Sequence, residues 1–307
     1  MPRDHATASA PGSIGNVGPG LDALGMAIVG PRDEVLLTWR DDARIVVVDS
    51  GHPDLPSDPA QNSASAAAQA VLRSRCVHRG FDVAVTKRLP LYAGQGGSAA
   101  SAVAGALAAC HLAGLDLDSA ELLTCALEGE AVASGRQADN LAPSLLGGFV
   151  LIRSVDPMDV IRLPVPSNLR IVLAHPSQRL ATRDARAALP TSVTRDVAVK
   201  QSAHVAAMVA GAFLGDLALL GRGLVDLIAE PARSSLLPGF IVAKEAAMAA
   251  GALGASISGA GPTAFALADG HSRAALIADA MQRAYRDAGV CASVRITEVE
   301  LEGAKAW

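Results

Sequence analysis

Three glycine-rich segments carry the clearest chemical signal in this sequence. The middle one, residues 90–101, reads Pro-Leu-Tyr-Ala-Gly-Gln-Gly-Gly-Ser-Ala-Ala-Ser, and a helix is predicted from Ser98 to Leu112. Glycines let main-chain N–H groups point inward, and the first turn of a helix leaves N–H groups unpaired beside a partial positive charge. Such an arrangement binds phosphate. Ser98 could cap the helix or present its hydroxyl to a Mg²⁺ ion.

The middle segment differs from two common nucleotide-binding motifs. No Lys-[Ser/Thr] pair follows its glycines, which excludes a Walker A loop, and it does not open a clean βαβ unit as a dinucleotide fingerprint would. Taken alone, it could equally be a structural turn that packs alanines against a strand. The other two glycine-rich segments, residues 11–22 and 258–263, make the phosphate interpretation the stronger one.

Hydrophobic patterning predicts the elements that position these segments. Strands are predicted at residues 35–39 and 44–48 as neighbours, and at 81–86, 147–152, 170–174, 255–258, 263–267 and 293–299. Helices are predicted at residues 63–75, 98–112 (ended by Gly114), 119–133, 197–219, 224–228, 239–250 and 272–287. Strands and helices mix without a strict βαβ alternation, which favours the α+β class. The proline-rich stretch 157–168 predicts two domains, residues 1–160 and 161–307.

Composition excludes several other classes of function. The 307 residues carry a net charge of −4 and 3% aromatic residues, so we expect no nucleic-acid partner, which would need basic charge and stacking platforms. No run of 18 uninterrupted apolar residues is present, so no membrane span is expected. Residues 1–10 lack the apolar core of a secretory signal, and the four cysteines form no C-x-x-C pair. These features predict a cytoplasmic protein with reduced thiols.

The order of the three glycine-rich segments resembles that of the GHMP kinases, the superfamily of galactokinase, homoserine kinase, mevalonate kinase and phosphomevalonate kinase. The middle segment is similar to their ATP loop, P-x-x-x-G-L-G-S-S-A-A. Four segments, one of them within the first glycine-rich segment, are most similar to the homoserine kinase family. Residues 15–22 resemble its A-N-L-G-x-G-F-D, residues 139–148 its D-N-V-A-P-x-x-x-G-G, residues 181–190 its T-x-x-A-R-x-x-L-P, and residues 230–240 its E-x-x-R-x-x-L-x-P-G-F.

The resemblance implies ATP-dependent phosphorylation of the L-homoserine side-chain hydroxyl to O-phospho-L-homoserine, a step of threonine biosynthesis. It also implies an N-terminal domain like ribosomal protein S5 domain 2 and a ferredoxin-like C-terminal domain, with ATP and homoserine in the cleft between them. A homodimer is an assembly that the resemblance allows. Two alternatives stay open: a GHMP kinase for another small hydroxy acid or alcohol, and a non-catalytic relative that binds a nucleotide or an amino acid.

The residue chemistry fits an amino-acid substrate. The guanidinium groups of Arg186 and Arg233 suit a carboxylate, which a guanidinium can hold with two hydrogen bonds. Asp22 suits an ammonium group, and Asn16 can supply a further hydrogen bond. The matched positions line the homoserine site of the family. Gln137 stands where the family commonly has His, and it is also expected to touch the substrate.

The resemblance also assigns the nucleotide and metal sites. The expected ATP-binding residues are Asn62, with an ordinary helix N-cap as its alternative role, and Pro90, Leu91, Tyr92, Ala93, Gly94, Gln95, Gly96, Gly97, Ser98, Ala99 and Ala100. Mg²⁺ is expected at Ser98 and at Glu128, which the resemblance favours; Glu130 is the close alternative, because the spacing does not decide between the two. Gln95 replaces the Leu of the family's loop, and Gly97 replaces its first Ser; Gly97 loses a hydroxyl but keeps its main-chain N–H.

Three residues are predicted to take part in the phosphoryl transfer itself. Asn140 occupies the position where many GHMP kinases have an aspartate base, so we expect it to orient the hydroxyl or the phosphate and not to take a proton. Thr182 is expected to bond near the γ-phosphate. Arg186 is expected to act in catalysis as well as in substrate binding.

Overall fold

The chain folds into two β-sheets with helices packed on them, in a computed structural model that describes residues 3–307. Met1 and Pro2, the start of the segment examined for a secretory signal, lie outside the described residues. The strands of the first sheet are β1 (His5–Gly15), β2 (Leu24–Trp39), β3 (Ile45–Asp49), β4 (Phe81–Thr86), β5 (Phe149–Val155), β6 (Met158–Leu163) and β11 (Lys305–Ala306). Those of the second sheet are β7 (Leu169–Pro176), β8 (Gly254–Ile257), β9 (Ala264–Asp269) and β10 (Ala292–Thr297).

The helices fall into two sets along the chain. The first set is α1 (Ser63–Ser74), α2 (Gly97–Leu112), α3 (Ser119–Ala133) and α4 (Leu141–Leu146). The second set is α5 (Thr182–Ala187), α6 (Arg195–Leu214), α7 (Leu217–Gly223), α8 (Ala229–Arg233), α9 (Phe240–Ala249) and α10 (His271–Asp287), with a 3₁₀ turn at Ser234–Leu236. We call the first sheet with α1–α4 the first lobe, and the second sheet with α5–α10 the second lobe.

The first lobe owes its close helix packing to small residues. Its sheet runs in the order β11-β1-β2-β4-β3, and the β5–β6 hairpin joins the start of β2. A Cβ atom at Gly105 of α2 would collide with the main chain of Ala64, and one at Gly129 of α3 would collide with the carbonyl of Ser63. The helices therefore approach at backbone distance, and the alanine-rich composition of α2 allows it.

The second lobe has the ferredoxin-like topology that the resemblance implied. Its strand order is β10-β7-β9-β8, all antiparallel, and the chain passes from β7 through helices to the β8–β9 hairpin and then through α10 to β10. Phe240, Ile277 and Tyr285 of α9 and α10 bury one face of this sheet. The other face belongs to a core cluster that also includes Ile14 and Phe149 of the first lobe, so buried apolar side chains join the two lobes.

Most predicted elements are present, and the α+β class is confirmed. Helices start or end within a residue or two of the predictions at α1, α2, α3, α9 and α10, and Gly114 ends α2 with φ of +63°. The strands predicted at 35–39 and 44–48 are not neighbours, because β4 lies between β2 and β3. The strands β1, β6 and β11 and the short helices α4, α5 and α8 were not predicted.

Two predicted helices differ from the structure. The helix predicted at 197–219 is interrupted where Gly215 takes a left-handed conformation with φ of +67°, and Asp216 then caps α7 through the N–H of Leu219 at 2.9 Å. Residues 224–228 are not helical. Asp226 instead accepts hydrogen bonds from the N–H groups of Ile228, Ala229 and Glu230 at the start of α8. Its carboxylate therefore caps the N-terminus of α8.

The predicted boundary between residues 160 and 161 falls inside a strand. β6 spans Met158–Leu163 and pairs with β5 in the first sheet, so the chain crosses to the second sheet only after residue 163. The last strand, β11, returns to the first sheet beside β1. The two lobes are therefore not simple halves of the sequence.

Among the described residues, α6 is long and apolar enough to cross a membrane by length and composition alone. Its apolar window is 22% buried. The helix packs on α7 through Met208 and Ala212. Its Gln201 side chain donates to the carbonyl of Pro19 at 2.8 Å and to Asp226 at 3.1 Å, and these buried hydrogen bonds fix α6 to both lobes.

Candidate active site

A pocket of about 470 Å³ lies between the two lobes, within the usual size range of small-molecule sites. Most of the residues predicted for the site line this pocket, although the sequence places them far apart. These are Asn16, Asn62, Pro90, Leu91, Tyr92, Ala93, Gly94, Gly96, Gly97, Ser98, Glu130, Gln137, Asn140, Thr182, Arg186 and Arg233. Five predicted residues are not part of the lining: Asp22, Gln95, Ala99, Ala100 and Glu128.

The glycine loop opens the first turn of α2 to the pocket. Gly96 precedes the helix with φ of +67°, and its carbonyl accepts the N–H of Ala100 at 2.9 Å. The N–H groups of Gly97, Ser98 and Ala99 therefore have no acceptor within the helix. A Cβ atom at Gly94 would collide with the carbonyls of Ser258 and Gly261, so the loop needs glycine there. Ala99 and Ala100 bury their side chains in the core and can offer the pocket only main-chain groups.

A lysine that sequence reasoning missed stands beside this turn. The Nζ of Lys87 donates to the carbonyl of Gly97 at 2.6 Å and to the hydroxyl of Ser101 at 3.1 Å, and it forms a buried ion pair with Asp33. A Cβ atom at Gly97 would lie 3.1 Å from this nitrogen. The departure from serine at position 97 thus leaves room for the ammonium group. The position of Lys87 in the sequence, just after β4 and before the glycine loop, was the signal that could have identified it.

The structure distinguishes the two candidate metal ligands of α3. The Ser98 hydroxyl donates to Glu130 Oε1 at 2.9 Å, and Ser134 bonds the same oxygen. Glu128 instead forms a surface ion pair with Arg136 at 2.6 Å. Residues two apart on a helix point to nearly opposite sides, so only Glu130 faces the glycine loop. The expectation that favoured Glu128 is therefore corrected in favour of Glu130.

The donor set at Ser98 and Glu130 fits Mg²⁺. Burial raises the pKa of Glu130, and its Oε2 is a buried atom without a hydrogen-bond partner in the part of the chain that the structure describes. A hard cation with oxygen ligands would satisfy this atom and favour the ionised carboxylate. Residues 3–307 contain no group of three or more His, Cys, Asp or Glu side chains placed to hold a metal ion. The remaining ligands would therefore come from phosphate oxygens and water.

Two predicted substrate-binding residues pair with each other. Arg186 of α5 donates to both carboxylate oxygens of Asp22, at 2.8 and 3.1 Å, and these hydrogen bonds raise the pKa of Arg186. Asp22 lies in the β1–β2 connection with φ of +57°, and the side chain of Asn16 holds it there by accepting its N–H at 2.8 Å. Arg186 lines the pocket, whereas Asp22 is not part of its lining.

Arg233 is a buried cation held by neutral groups. It is 2% exposed. Its Nε donates to the carbonyl of Ala185 at 3.0 Å and its Nη1 to that of Gly259 at 3.1 Å. No carboxylate within residues 3–307 forms a salt bridge with it, and burial lowers the pKa of its guanidinium. A buried charge with this environment would gain from an anionic ligand in the pocket.

Asn140 lies next to the glycine loop. Its Oδ1 accepts a hydrogen bond from the Ser13 hydroxyl at 2.9 Å, and a Cβ atom at Gly96 would lie 2.9 Å from the same oxygen. The preceding residue, Asp139, was not among the predicted site residues. Its carboxyl is buried in the pocket wall, and burial together with the nearby charges of Asp22 and Glu130 raises its pKa to about 7.

Three further predicted residues line the pocket: Asn62, whose side chain is already hydrogen-bonded elsewhere, Thr182 and Gln137. Asn62 caps α1 by accepting the N–H of Ser65 at 3.2 Å, and its Nδ2 donates to the carbonyl of Pro56 at 3.0 Å. Its side chain therefore serves the ordinary capping role that was the alternative prediction. Thr182 is the first residue of α5. Gln137 faces the pocket between Arg136 and Asp139.

The fold and this site define a GHMP kinase. The family model described as "GHMP kinases N terminal domain" matches residues 62–148, and that described as "GHMP kinases C terminal" matches residues 206–287. Together the two matches span more than half of the chain. The GHMP fold is thus present over both lobes.

Comparison with curated relatives shows which family of GHMP kinases the chain belongs to. The chain is 45% identical over 286 residues to a homoserine kinase of Chlorobium phaeovibrioides, covering 89% of both sequences. It is 42% identical over 297 residues to one of Chloroherpeton thalassium, covering 92% of both. A crystal structure of homoserine kinase from Cytophaga hutchinsonii superposes with a TM-score of 0.93 at 41% identity, covering 100% of this chain and 98% of that one. The chain belongs to the homoserine kinase family.

Proposed function

We propose that the protein transfers the γ-phosphoryl group of ATP to the side-chain hydroxyl of L-homoserine, giving O-phospho-L-homoserine and ADP. The observation that carries the proposal is that two anion-binding features share one pocket. One is the open first turn of α2 at Gly97 and Ser98, and the other is the buried guanidinium of Arg233. A triphosphate suits the first and an amino-acid carboxylate suits the second.

The phosphoryl donor would lie against the glycine loop. The N–H groups of Gly97, Ser98 and Ala99 would bind phosphate oxygens, and Lys87, whose charge is balanced by Asp33, would hold this turn in place through the carbonyl of Gly97. Ser98 and Glu130 would hold Mg²⁺, which neutralises charge on the phosphates when bound. Charge neutralisation of this kind is the main contribution a protein makes to phosphoryl transfer.

The acceptor would lie at the other end of the pocket. Arg233 and Arg186 would bind the homoserine carboxylate, Asp22 would bind its ammonium group, and Asn16 would supply a further hydrogen bond to the substrate. Asn140, placed between the glycine loop and Ser13, would then orient the side-chain hydroxyl toward the γ-phosphate. Thr182 at the start of α5 would bond the transferring phosphoryl group. This assignment makes positioning, and not proton removal by Asn140, the role of that side chain.

Two further parts of the proposal concern where the enzyme acts and how it assembles. The sequence predicts a cytoplasmic enzyme that acts in threonine biosynthesis, and a homodimer is the assembly we would look for first. Size-exclusion chromatography with light scattering would measure the assembly directly.

An acceptor panel tests the proposed reaction. ADP release is followed with ATP, Mg²⁺ and, in turn, L-homoserine, shikimate, mevalonate and galactose. The proposal expects turnover with L-homoserine at least about 100-fold above each other acceptor in kcat/KM, because only homoserine carries both charges. Faster turnover of another alcohol would make the protein a GHMP kinase for that substrate. Nucleotide binding without turnover of any acceptor would support a non-catalytic relative.

A further inference from the structure

Gln95 is the one residue of the segment 90–98 whose side chain turns away from the pocket. Every other residue from Pro90 to Ser98 lines the cavity. The Gln95 side chain is 5% exposed, and its Nε2 donates to the hydroxyl of Thr263 at 3.3 Å. Its Oε1 lies 3.5 Å from an Nη2 donor of Arg295. The amide thus finds its partners in the second lobe, although the loop itself belongs to the first.

These second-lobe partners are fixed by their own contacts. Thr263 is fully buried, and its hydroxyl lies 3.0 Å from Nδ1 of His175 on β7. Because that hydroxyl accepts from Gln95, its proton is available to His175. Burial lowers the pKa of His175, which favours the neutral ring that can accept it. Arg295 on β10 also donates to the carbonyl of Val29 at 3.0 Å.

The main chain of the loop meets the same region. The N–H of Thr263 donates to the carbonyl of Ala93 at 3.3 Å, and the hydroxyl of Ser258 donates to the carbonyl of Gly94 at 2.6 Å. Gln95 lies between Gly94 and Gly96, whose φ angles of +69° and +67° are in the left-handed region. Its neighbours have no side chains, so Gln95 supplies the only side-chain anchor between those two flexible positions.

From this geometry we propose that Gln95 is a positioning residue for the nucleotide. Its amide clamps the glycine loop onto Thr263 of the second lobe and so fixes the direction of the N–H groups of residues 96–99. The inference rests on the proposed function, since it concerns the phosphates of ATP. It also gives a role to one of the two positions where this loop departs from the ATP loop that it resembles.

Calorimetric titration of ADP tests the proposal on four proteins: the wild type, Gln95→Leu, Thr263→Val and the double variant. Gln282→Leu, an exposed amide on α10 that bonds the carbonyl of Ala292, is the matched control. We expect Gln95→Leu to weaken ADP binding about 5- to 20-fold, since a mobile loop must be ordered by the ligand. Thr263→Val should weaken it similarly, and the double variant no more than the stronger single one. Gln282→Leu should bind as the wild type does.

Steady-state kinetics separate positioning from loss of structure. The KM for ATP should rise in Gln95→Leu while the KM for homoserine changes less than twofold, because Arg233 and Arg186 are untouched. Equal ADP affinity in the wild type and Gln95→Leu would overturn the inference while leaving the proposed function intact. Additive effects of the two substitutions would overturn the link through Thr263. A wild type that binds no ADP would instead contradict the proposed function itself, and the inference with it.

Discussion

Asp22 and Arg186 neutralise each other through two hydrogen bonds of 2.8 and 3.1 Å between the β1–β2 connection and α5. Both belong to the acceptor site in our account, so two of its charged residues balance each other, whereas the guanidinium of Arg233 has no carboxylate partner among the described residues. A zwitterion can exchange with this pair, because its ammonium replaces Arg186 at the carboxylate and its carboxylate replaces Asp22 at the guanidinium. An acceptor with one charge leaves the other partner unpaired.

Acceptor analogues therefore distinguish this exchange from simple charge attraction. Homoserine methyl ester lacks the carboxylate charge and N-acetylhomoserine lacks the ammonium charge. We expect each to lose about 100-fold or more in kcat/KM relative to L-homoserine, since a site built for polar groups rejects analogues that leave those groups unpaired. Initial rates of ADP release measure this. An ester phosphorylated as efficiently as homoserine would show that the pair does not exchange with the substrate.

Replacement of Arg233 is expected to affect the acceptor and not the nucleotide. Arg233→Met should raise the KM for homoserine about 10- to 100-fold, because a charge-assisted hydrogen bond to the carboxylate is lost. The Kd for ADP should stay within about twofold. Arg233→Lys keeps the charge but not the planar guanidinium, so its KM for homoserine should lie between those of the wild type and Arg233→Met.

The matched control for this series is Arg286→Met, an exposed arginine of α10 that pairs with its neighbour Asp287. Circular dichroism and thermal melting identify any variant that fails to fold, since Arg233 also holds two carbonyl groups in place. An unchanged KM for homoserine in a folded Arg233→Met protein would remove Arg233 from the site.

Glu128 and Glu130 offer a paired test of the metal site on one helix. Glu130→Gln keeps the shape of the side chain but removes the charge, so we expect the Mg²⁺ concentration for half-maximal rate to rise about tenfold or more. Glu128→Gln should behave as the wild type, apart from its lost surface pair with Arg136. Titration of Mg²⁺ at saturating ATP measures both. A large effect in Glu128→Gln with none in Glu130→Gln would contradict the assignment.

Asp139 predicts a pH dependence of stability. Its pKa is raised from 3.8 to about 7 by burial and by the nearby carboxylates. At a pH between these two values, the Asp139 carboxyl is ionised in the unfolded chain but protonated in the folded protein. The folded state then binds more protons, so its stability falls as pH rises from about 4 to 7 and levels off above that.

An isosteric variant tests the sign of this effect. Asp139→Asn has no charge to bury, so it should gain on the order of a few kcal/mol over the wild type at pH 8 and little at pH 4.5. Urea unfolding at the two pH values measures the difference, with Asp279→Asn on the exposed side of α10 as control. An equal difference at both pH values would show that the carboxyl is ionised in the folded protein throughout.

Local patterns in the sequence predicted the glycine loop well and the pairing of strands poorly. The loop at Gly94–Ser98 and the start of α2 depend on neighbouring residues, so composition and spacing were sufficient. β1 escaped prediction because its alanine, serine, proline and glycine residues have little intrinsic strand preference, and it is made a strand by pairing with β2. Likewise, nothing local places β4 between β2 and β3.

The same limit applies within the site. The choice between Glu128 and Glu130 depends on which side of α3 packs against α2. Tertiary contacts set this orientation of the helix, and the local sequence does not. The segment 90–98 was predicted to bind ATP as a unit, yet Gln95 points to the second lobe. The Asp22–Arg186 pair joins residues 164 positions apart, so no local pattern could reveal that two residues proposed to bind the substrate contact each other.

The identity of the phosphorylated product is the most direct test of the account. The protein is incubated with ATP, Mg²⁺ and L-homoserine, and the products are followed by phosphorus NMR correlated to the carbon-bound protons of the acceptor. We predict one new phosphate monoester coupled to the side-chain methylene protons, formed in equal amount to ADP. Inorganic phosphate in place of the ester, or phosphate coupled to another acceptor when homoserine competes with it, would contradict the proposed reaction.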